Sequence, residues 1–438
     1  MKTRKEKRES NKETNYFFEF EKIIQHFFKG FQKSLGKVED GRHSSYISYP
    51  AELILYQMIL KNAVDIRSMR GMSEEFNQEK CIENLRIALK LKKLEEIPHY
   101  DTVNDFLSKL APENLERIRK QMIVSLLKKR CLEGGRILRK YWHVVVDGTG
   151  LHRFRERHCE HCLKRVITDK ETGEITTYYY HHVLEAKLIV GKMALSLATE
   201  FIENESVDVE KQDCEIKAFY RLSKKLKKDY PRLPICLSGD SLYACEPVFQ
   251  ICQANRWKYI SRFKAGSIPT IDREFQTLKQ LEESESKNDG DPVFFNKITY
   301  NERSVNMMEY RTLEKKINKH FVFITNLEIT KKNVMELIVA GRNRWKIENV
   351  GFNRQKNSRY NIEHVNSHDY TAMKNHYLLV QITDIIVQLY EQGSSALSNF
   401  KRSIKKISSD LLDSFRQCHL TTEDMINLTN PTQVRFAT

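Results

Sequence analysis

Three acidic residues stand where a carboxylate is expensive to leave alone. Asp147 follows Tyr141-Trp142-His143-Val144-Val145-Val146, a short β-branched run that reads as a strand buried on both faces. Asp240 follows a second such run, Leu233-Pro234-Ile235-Cys236-Leu237-Ser238-Gly239. Glu348 lies further on, in a helical stretch with Arg344, Trp345, Lys346 and Ile347. Desolvating a charge at the rim of a core is costly without a partner, and a metal ion is one good partner. Taken alone, Asp147 reads better as the opening of a turn; the recurrence of the pattern points to a site. A second candidate cluster is Cys159-Glu160-His161-Cys162, with His152 and His158 before it and His181 and His182 beyond. Cys-x-x-Cys near histidines can bind zinc, although only two of four ligands are obvious, and an exposed loop with free thiols is the alternative.

The elements that must position these groups are readable in outline. Gly148-Thr149-Gly150 is expected to end the first strand, and residues 151–174 read as a polar loop. Tyr178–Val190 and Met193–Glu203 form a hairpin about Gly191-Lys192. A helix over Cys214–Lys228, the strand to Asp240, a helix over Glu246–Asn255 and a strand over Trp257–Phe263 follow. That order gives a mixed α/β layer with one hairpin and two crossovers. Residues 266–326 read as a small β insertion, separate from that sheet, with strands over Val293–Tyr300, Val305–Leu313 and Phe321–Thr325 and turns at Asn301-Glu302 and Asn318-Lys319. One helix is expected from Lys331 through Arg344 and Glu348 to Lys356, then helices over His376–Tyr390 and Ile404–Phe415.

The first 15 residues read as a disordered basic tail. Residues 16–135 read as an all-helical module, in which Thr102 caps a helix with Asp105 three residues on. Helix pairs with basic ends can dock on DNA, or simply pack. The chain has 438 residues, a net charge of +15 and nine cysteines. Its length implies two or three domains, and its charge a polyanionic partner, nucleic acid first. Odd, scattered cysteines fit a reducing cytosol better than a disulfide framework. Neither a signal peptide nor an apolar stretch of membrane-spanning length is visible. No Gly-x-Ser-x-Gly elbow or Cys-His hydrolase signature is present.

Asp147 and Asp240 after strands, and Glu348 on a helix behind a β-rich segment, resemble the DDE transposases of bacterial insertion sequences over about residues 140–390. That family carries a Tyr-x2-Arg-x3-Glu-x6-Lys signature. Arg344 and Glu348 match it; Gly341 stands at the tyrosine position, Gln355 at the lysine position, and Lys356 one residue late. The resemblance implies an RNase H-like mixed sheet with flanking helices, built from residues 140–265 and 331–392, a β insertion at 266–330, and a C-terminal helical segment at 393–438. It implies that Asp147, Asp240 and Glu348 hold two Mg²⁺ or Mn²⁺ ions and catalyse DNA cutting and joining, with Arg344 and Lys356 gripping phosphates. Terminal-repeat and target DNA as partners, a homodimer on DNA, and a cytoplasmic, nucleoid-associated location in a bacterium or archaeon follow from it. Of Glu185 and Glu200, in the hairpin strands, one is expected to be a buried pair partner and neither catalytic. Trp345 is expected to be a core anchor, and the insertion holds no tryptophan to take up a flipped base. The competing readings are a DNA-binding protein on the same scaffold without cleavage, and a metal-dependent nuclease without strand transfer.

Overall fold

A computed structural model describes residues 14–43, 45, 47–282, 291–314, 316–398 and 402–428. The basic tail and residues 429–438 of the C-terminal segment therefore lie outside the described residues, apart from Thr14 and Asn15. The chain divides into two compact units, residues 133–352 and residues 1–132 with 353–438. Residues 353–392, expected to complete the α/β layer, group instead with the helices of the N-terminal part. Among the described residues, no helix is long and apolar enough to cross a membrane.

The unit of residues 133–352 is built on a ten-stranded mixed sheet. Its strands are β1 (Arg136–Ile137), β2 (Tyr141–Phe154), β3 (Leu163–Thr168), β4 (Ile175–Val190), β5 (Met193–Ile202), β6 (Ile235–Gly239), β7 (Lys258–Arg262), β8 (Val293–Tyr300), β9 (Arg303–Glu314) and β10 (Ile317–Thr325). β4 runs antiparallel between β5 and β2. β2, β6 and β7 are mutually parallel, and their connections carry the helices Glu215–Asp229 and Glu246–Asn255. Ala218, Phe219, Leu222 and Leu226 supply the buried stripe of the first helix. In the second, Phe249 stacks on Tyr259 of β7, with ring centroids 4.7 Å apart.

Four expectations about this unit need correction. The strand carrying Asp147 does not end at Gly148-Thr149-Gly150; β2 continues to Phe154, with a bulge between Gly150 and Arg153. Gly148 serves close packing rather than a turn, because a Cβ there would lie 2.6 Å from both Glu215 Oε1 and His182 Nε2. The stretch read as a polar loop contains β3, which pairs with the first half of β4. Its polarity masked it, since the ribbon is solvated: Val166, Ile167 and Ile175 are all exposed. The β-rich segment is not separate from the sheet: β10 pairs antiparallel with β7, Phe323 opposite Arg262 and Thr325 opposite Ile260. It is preceded by a helix over Pro269–Glu282, anchored by Ile271 and Phe275, and its last turn comes earlier than Asn318-Lys319, since Ile317 is already paired with Glu314.

The fourth correction bears on Glu348. The helix expected to run from Lys331 to Lys356 covers only Val334–Arg342. A turn at Asn343-Arg344 follows, closed by Ile347 N–H donating to Arg344 O at 3.1 Å, and the chain then winds into wide π-helical turns over Ile347–Phe352 and Arg354–Ser358. Such turns are rare and recur at functional sites. Arg344 and Glu348 therefore do not share an α-helical face. At the signature's tyrosine position, Gly341 leaves no room for a side chain: a Cβ would meet the Phe323 ring at 2.7 Å.

In the other unit, the helix Tyr370–Gly393 is buried along nearly its whole length, the mark of a central helix. Asn375 Nδ2 donates to the carbonyls of Leu107 (2.8 Å) and Leu110 (2.7 Å), tying it to the helix Tyr100–Lys109. That helix is capped by His99 and not by Thr102, which lies inside it. Gln355 is fully buried and donates to Gln381 Oε1 (3.1 Å) and Asp384 Oδ2 (2.9 Å). At the lysine position the chain thus carries a structural amide. Gln355→Leu is expected to destabilise this unit by about 1–3 kcal/mol, since it leaves buried polar partners short of a donor. Chemical denaturation of the purified variant measures it; an unchanged midpoint would contradict the assignment.

Candidate active site

The stage for Asp147 is set by alternation along β2. Val145 and Asp147 point to the same side of the strand. On that side Val145 packs with Ile189, Ala194, Ile347 and Phe352 in a buried cluster. Ile347 and Phe352 anchor the π-helical turn to the sheet, and Glu348, next to Ile347, is left exposed. Asp240 follows β6 directly; its Oδ1 accepts from Leu242 N–H at 2.9 Å, capping a short 3₁₀ turn over Ser241–Tyr243. Because β6 is the parallel neighbour of β2, with Val145 opposite Ser238, the two strands carry both aspartates toward the same end of the sheet.

Asp147 lies in the field of the other acidic groups, although among the described residues no three of these carboxylates bring ligand atoms within 4.8 Å of one another. Burial pushes the Asp147 carboxyl up to about 6; Arg344 works against that shift, while the charges of Glu215, Asp240 and Glu348 add to it. Arg344 Nη1 contacts Asp147 Oδ2 at 3.1 Å. Among the described residues, four carboxylates thus share one field with the Arg344 guanidinium. Oxygen donors of this kind, in excess of the local positive charge, fit hard divalent cations such as Mg²⁺ or Mn²⁺.

Sequence reading passed over Glu215, Tyr243 and Arg262. Glu215 opens the helix Glu215–Asp229 and sits beside His182 Nε2 at 3.4 Å, with the Tyr243 hydroxyl 3.3 Å from its Oε2. Tyr243 is buried, and burial together with Glu215, Asp147 and Asp240 holds its hydroxyl well above the ordinary phenol range. The glycine Gly148, whose missing side chain makes room for Glu215, was the available signal. Arg262 ends β7 and leans on the rings of Phe321 and Phe323. Its Nη2 donates to His320 O at 2.6 Å, while its buried Nη1 has no hydrogen-bond partner.

A cleft of about 700 Å³ opens beside Asp240 and is lined by Arg262, Lys264, Lys319, Arg342, Arg344 and Trp345, among others. Trp345 is 47 % exposed there, so it is not a core anchor. Burial, and then the charge of Arg344, lower the affinity of Arg262 for its proton. Two guanidiniums close enough to oppose each other are well placed for an anion. Glu185 and Glu200 both have partners in the fold: Ser196 and Thr199 hydroxyls donate to Glu185, and Arg221 and Lys225 pair with Glu200 at 2.6 and 2.8 Å. Lys356 lies in the other compact unit, where it pairs with Glu363 at 2.9 Å.

The fold and the acidic cluster define a class, and comparison with known families names it. Residues 138–383 match the transposase DDE domain, and the chain belongs to that family. Among curated proteins no match was found.

Proposed function

We propose that this transposase cuts and joins DNA through Asp147, Asp240 and Glu348 as ligands of two divalent cations. The observation that carries the reading is the field around Asp147, a buried carboxyl burdened by three other acidic groups and relieved by one arginine. The order β5-β4-β2-β6-β7, antiparallel then parallel, supports an RNase H-like core for this chemistry. When bound, Mg²⁺ or Mn²⁺ would activate a water or a DNA 3′-hydroxyl and stabilise the leaving oxygen. The protein's own residues supply the geometry. Arg344 spans from Asp147 to the basic cleft, so it is placed to hold a phosphate against the carboxylates. Arg262, which lines the same cleft, adds a second positive charge for that strand. Glu215 and Tyr243 brace the far side of Asp147 and are positioning residues in this scheme.

Nicking of supercoiled plasmid carrying an element end, with and without Mg²⁺ or Mn²⁺, tests the reading. Metal-dependent nicking followed by joined products is expected. Nicking without joining would indicate a nuclease, and binding without nicking a scaffold that does not cleave.

Trp345 offers an aromatic face to the cleft. Trp345→Ala is expected to weaken single-stranded or end-frayed DNA binding by about 1–3 kcal/mol, the range for a base stacked on an aromatic ring. Thermal stability should stay near wild type, because Trp345 is exposed. Equal affinity in a filter-binding or anisotropy titration would count against a stacking role.

A further inference from the structure

We infer that Cys159, Cys162 and His181 form a structural zinc site, built where the β2–β3 connection crosses β4. The three ligand atoms make a nearly equilateral triangle. Cys159 Sγ and Cys162 Sγ are 3.6 Å apart, and each lies 3.6 Å from His181 Nε2. Tetrahedral zinc, with Zn–S of about 2.3 Å and Zn–N of about 2.0–2.1 Å, requires edges of about 3.8 Å between sulfurs and about 3.5 Å between sulfur and nitrogen. The triangle matches one face of that tetrahedron. Both thiols are free cysteines, well short of disulfide contact.

The surroundings hold the triangle in place. Cys162 and His181 are buried, and the connecting loop is pinned by Asn204, whose Nδ2 donates to Cys162 O at 3.1 Å and whose backbone N–H donates to His161 O at 3.3 Å. The bulge in β2 between Gly150 and Arg153 turns the buried His152 toward the same place, with its ring 6.2 Å from that of His181. His152 lies outside the three-ligand cluster, so the fourth corner is left to a water. Soft thiolates with an imidazole select zinc over the hard cations suited to the carboxylate cluster. The two sites therefore take different metals. The zinc site is also mechanically linked to the first: His181 precedes His182, the partner of Glu215. Neighbouring residues on a strand face opposite ways, so one metal-fixed residue sets the backbone from which the next reaches the acidic cluster.

The test is metal analysis of the full chain, purified without added chelator. About one zinc per chain is expected, falling at least about tenfold in Cys159→Ser/Cys162→Ser and in His181→Ala, and retained in His181→Cys, which restores a ligand. Cobalt substitution of the wild-type protein should give thiolate-to-metal charge-transfer absorption, and removal of metal should expose two further thiols to a thiol reagent. The cobalt and thiol measurements need no variant, so a misfolded variant does not leave the question open. Wild-type protein that carries no zinc, shows no thiolate band with cobalt and has the same thiol reactivity with and without chelator would overturn the inference. Full zinc content in the double variant would do the same.

Discussion

Asp147→Ala, Asp240→Ala and Glu348→Ala are each expected to lower DNA cleavage by at least about a thousandfold, while affinity for element-end DNA changes little. Phosphoryl transfer draws its acceleration from positioning and charge rather than from protein covalent chemistry, so the loss of one cation ligand removes most of it. The stability of the variants separates this role from a structural one. The Asp147 carboxyl is pushed up from 3.8 to about 6, chiefly by burial, so its ionised form burdens the fold. Below pH 3.8 the group is neutral in both folded and unfolded chains; as the pH rises through about 6 the folded state must give up a proton it holds more tightly, and stability falls. Asp147→Asn should therefore flatten that decline, and Mg²⁺ should offset it in the wild type alone. Melting curves across this pH range, with and without Mg²⁺, check both. An Asp147→Ala variant that cuts normally would remove the residue from the site. One that melts much earlier than wild type would show that Asp147 serves mainly as the counter-ion of Arg344.

Arg344→Lys is expected to slow cleavage by about a hundredfold while end binding stays within a few-fold of wild type. Lysine keeps the charge that relieves Asp147 but loses the planar fork that can touch a carboxylate and a phosphate at once. Misplacing the scissile phosphate by about an ångström is costly in rate and cheap in affinity. If Arg344 only neutralises Asp147 across their 3.1 Å contact, lysine will serve nearly as well and the rate will hold. Single-turnover cleavage and end affinity measured on the same DNA, with the melting temperature as control, decide between these.

The strands before Asp147 and Asp240 were legible as buried apolar runs, β2 and β6, whereas Glu348 was marked only by an Arg-x3-Glu spacing. What failed was the local conformation around them. Gly148 reads as a turn residue from its type alone, whereas it makes space for Glu215 and His182, which arrive from 34 or more positions away in the chain, a packing demand invisible locally. The π-helical turns at Glu348 were unreadable because helical periodicity cannot distinguish a wide turn from an ordinary one over six residues. The pairing of β10 with β7 was missed for a related reason. An antiparallel hairpin announces itself by its own turns, but nothing in it states which outer edge it will join. Cys159 and Cys162 pointed to a metal, and only the three-dimensional register of β4 singled out His181 over His182, its neighbour in sequence.

That pairing of β10 with β7 bears on how the cleft meets DNA. Arg262 stands directly opposite Phe323 in the ladder, and Arg262, Lys319, Phe321 and Phe323 all line the cleft. Their backbone is fixed by main-chain hydrogen bonds continuous with the strands that carry Asp147 and Asp240. The conformational entropy of arranging this wall is thus lost when the chain folds, not when it meets its ligand. If the cleft holds DNA as proposed, deformation is left to the nucleic acid, and the sequences that bind best will include those whose duplex ends distort most easily, even at base pairs that no side chain reaches.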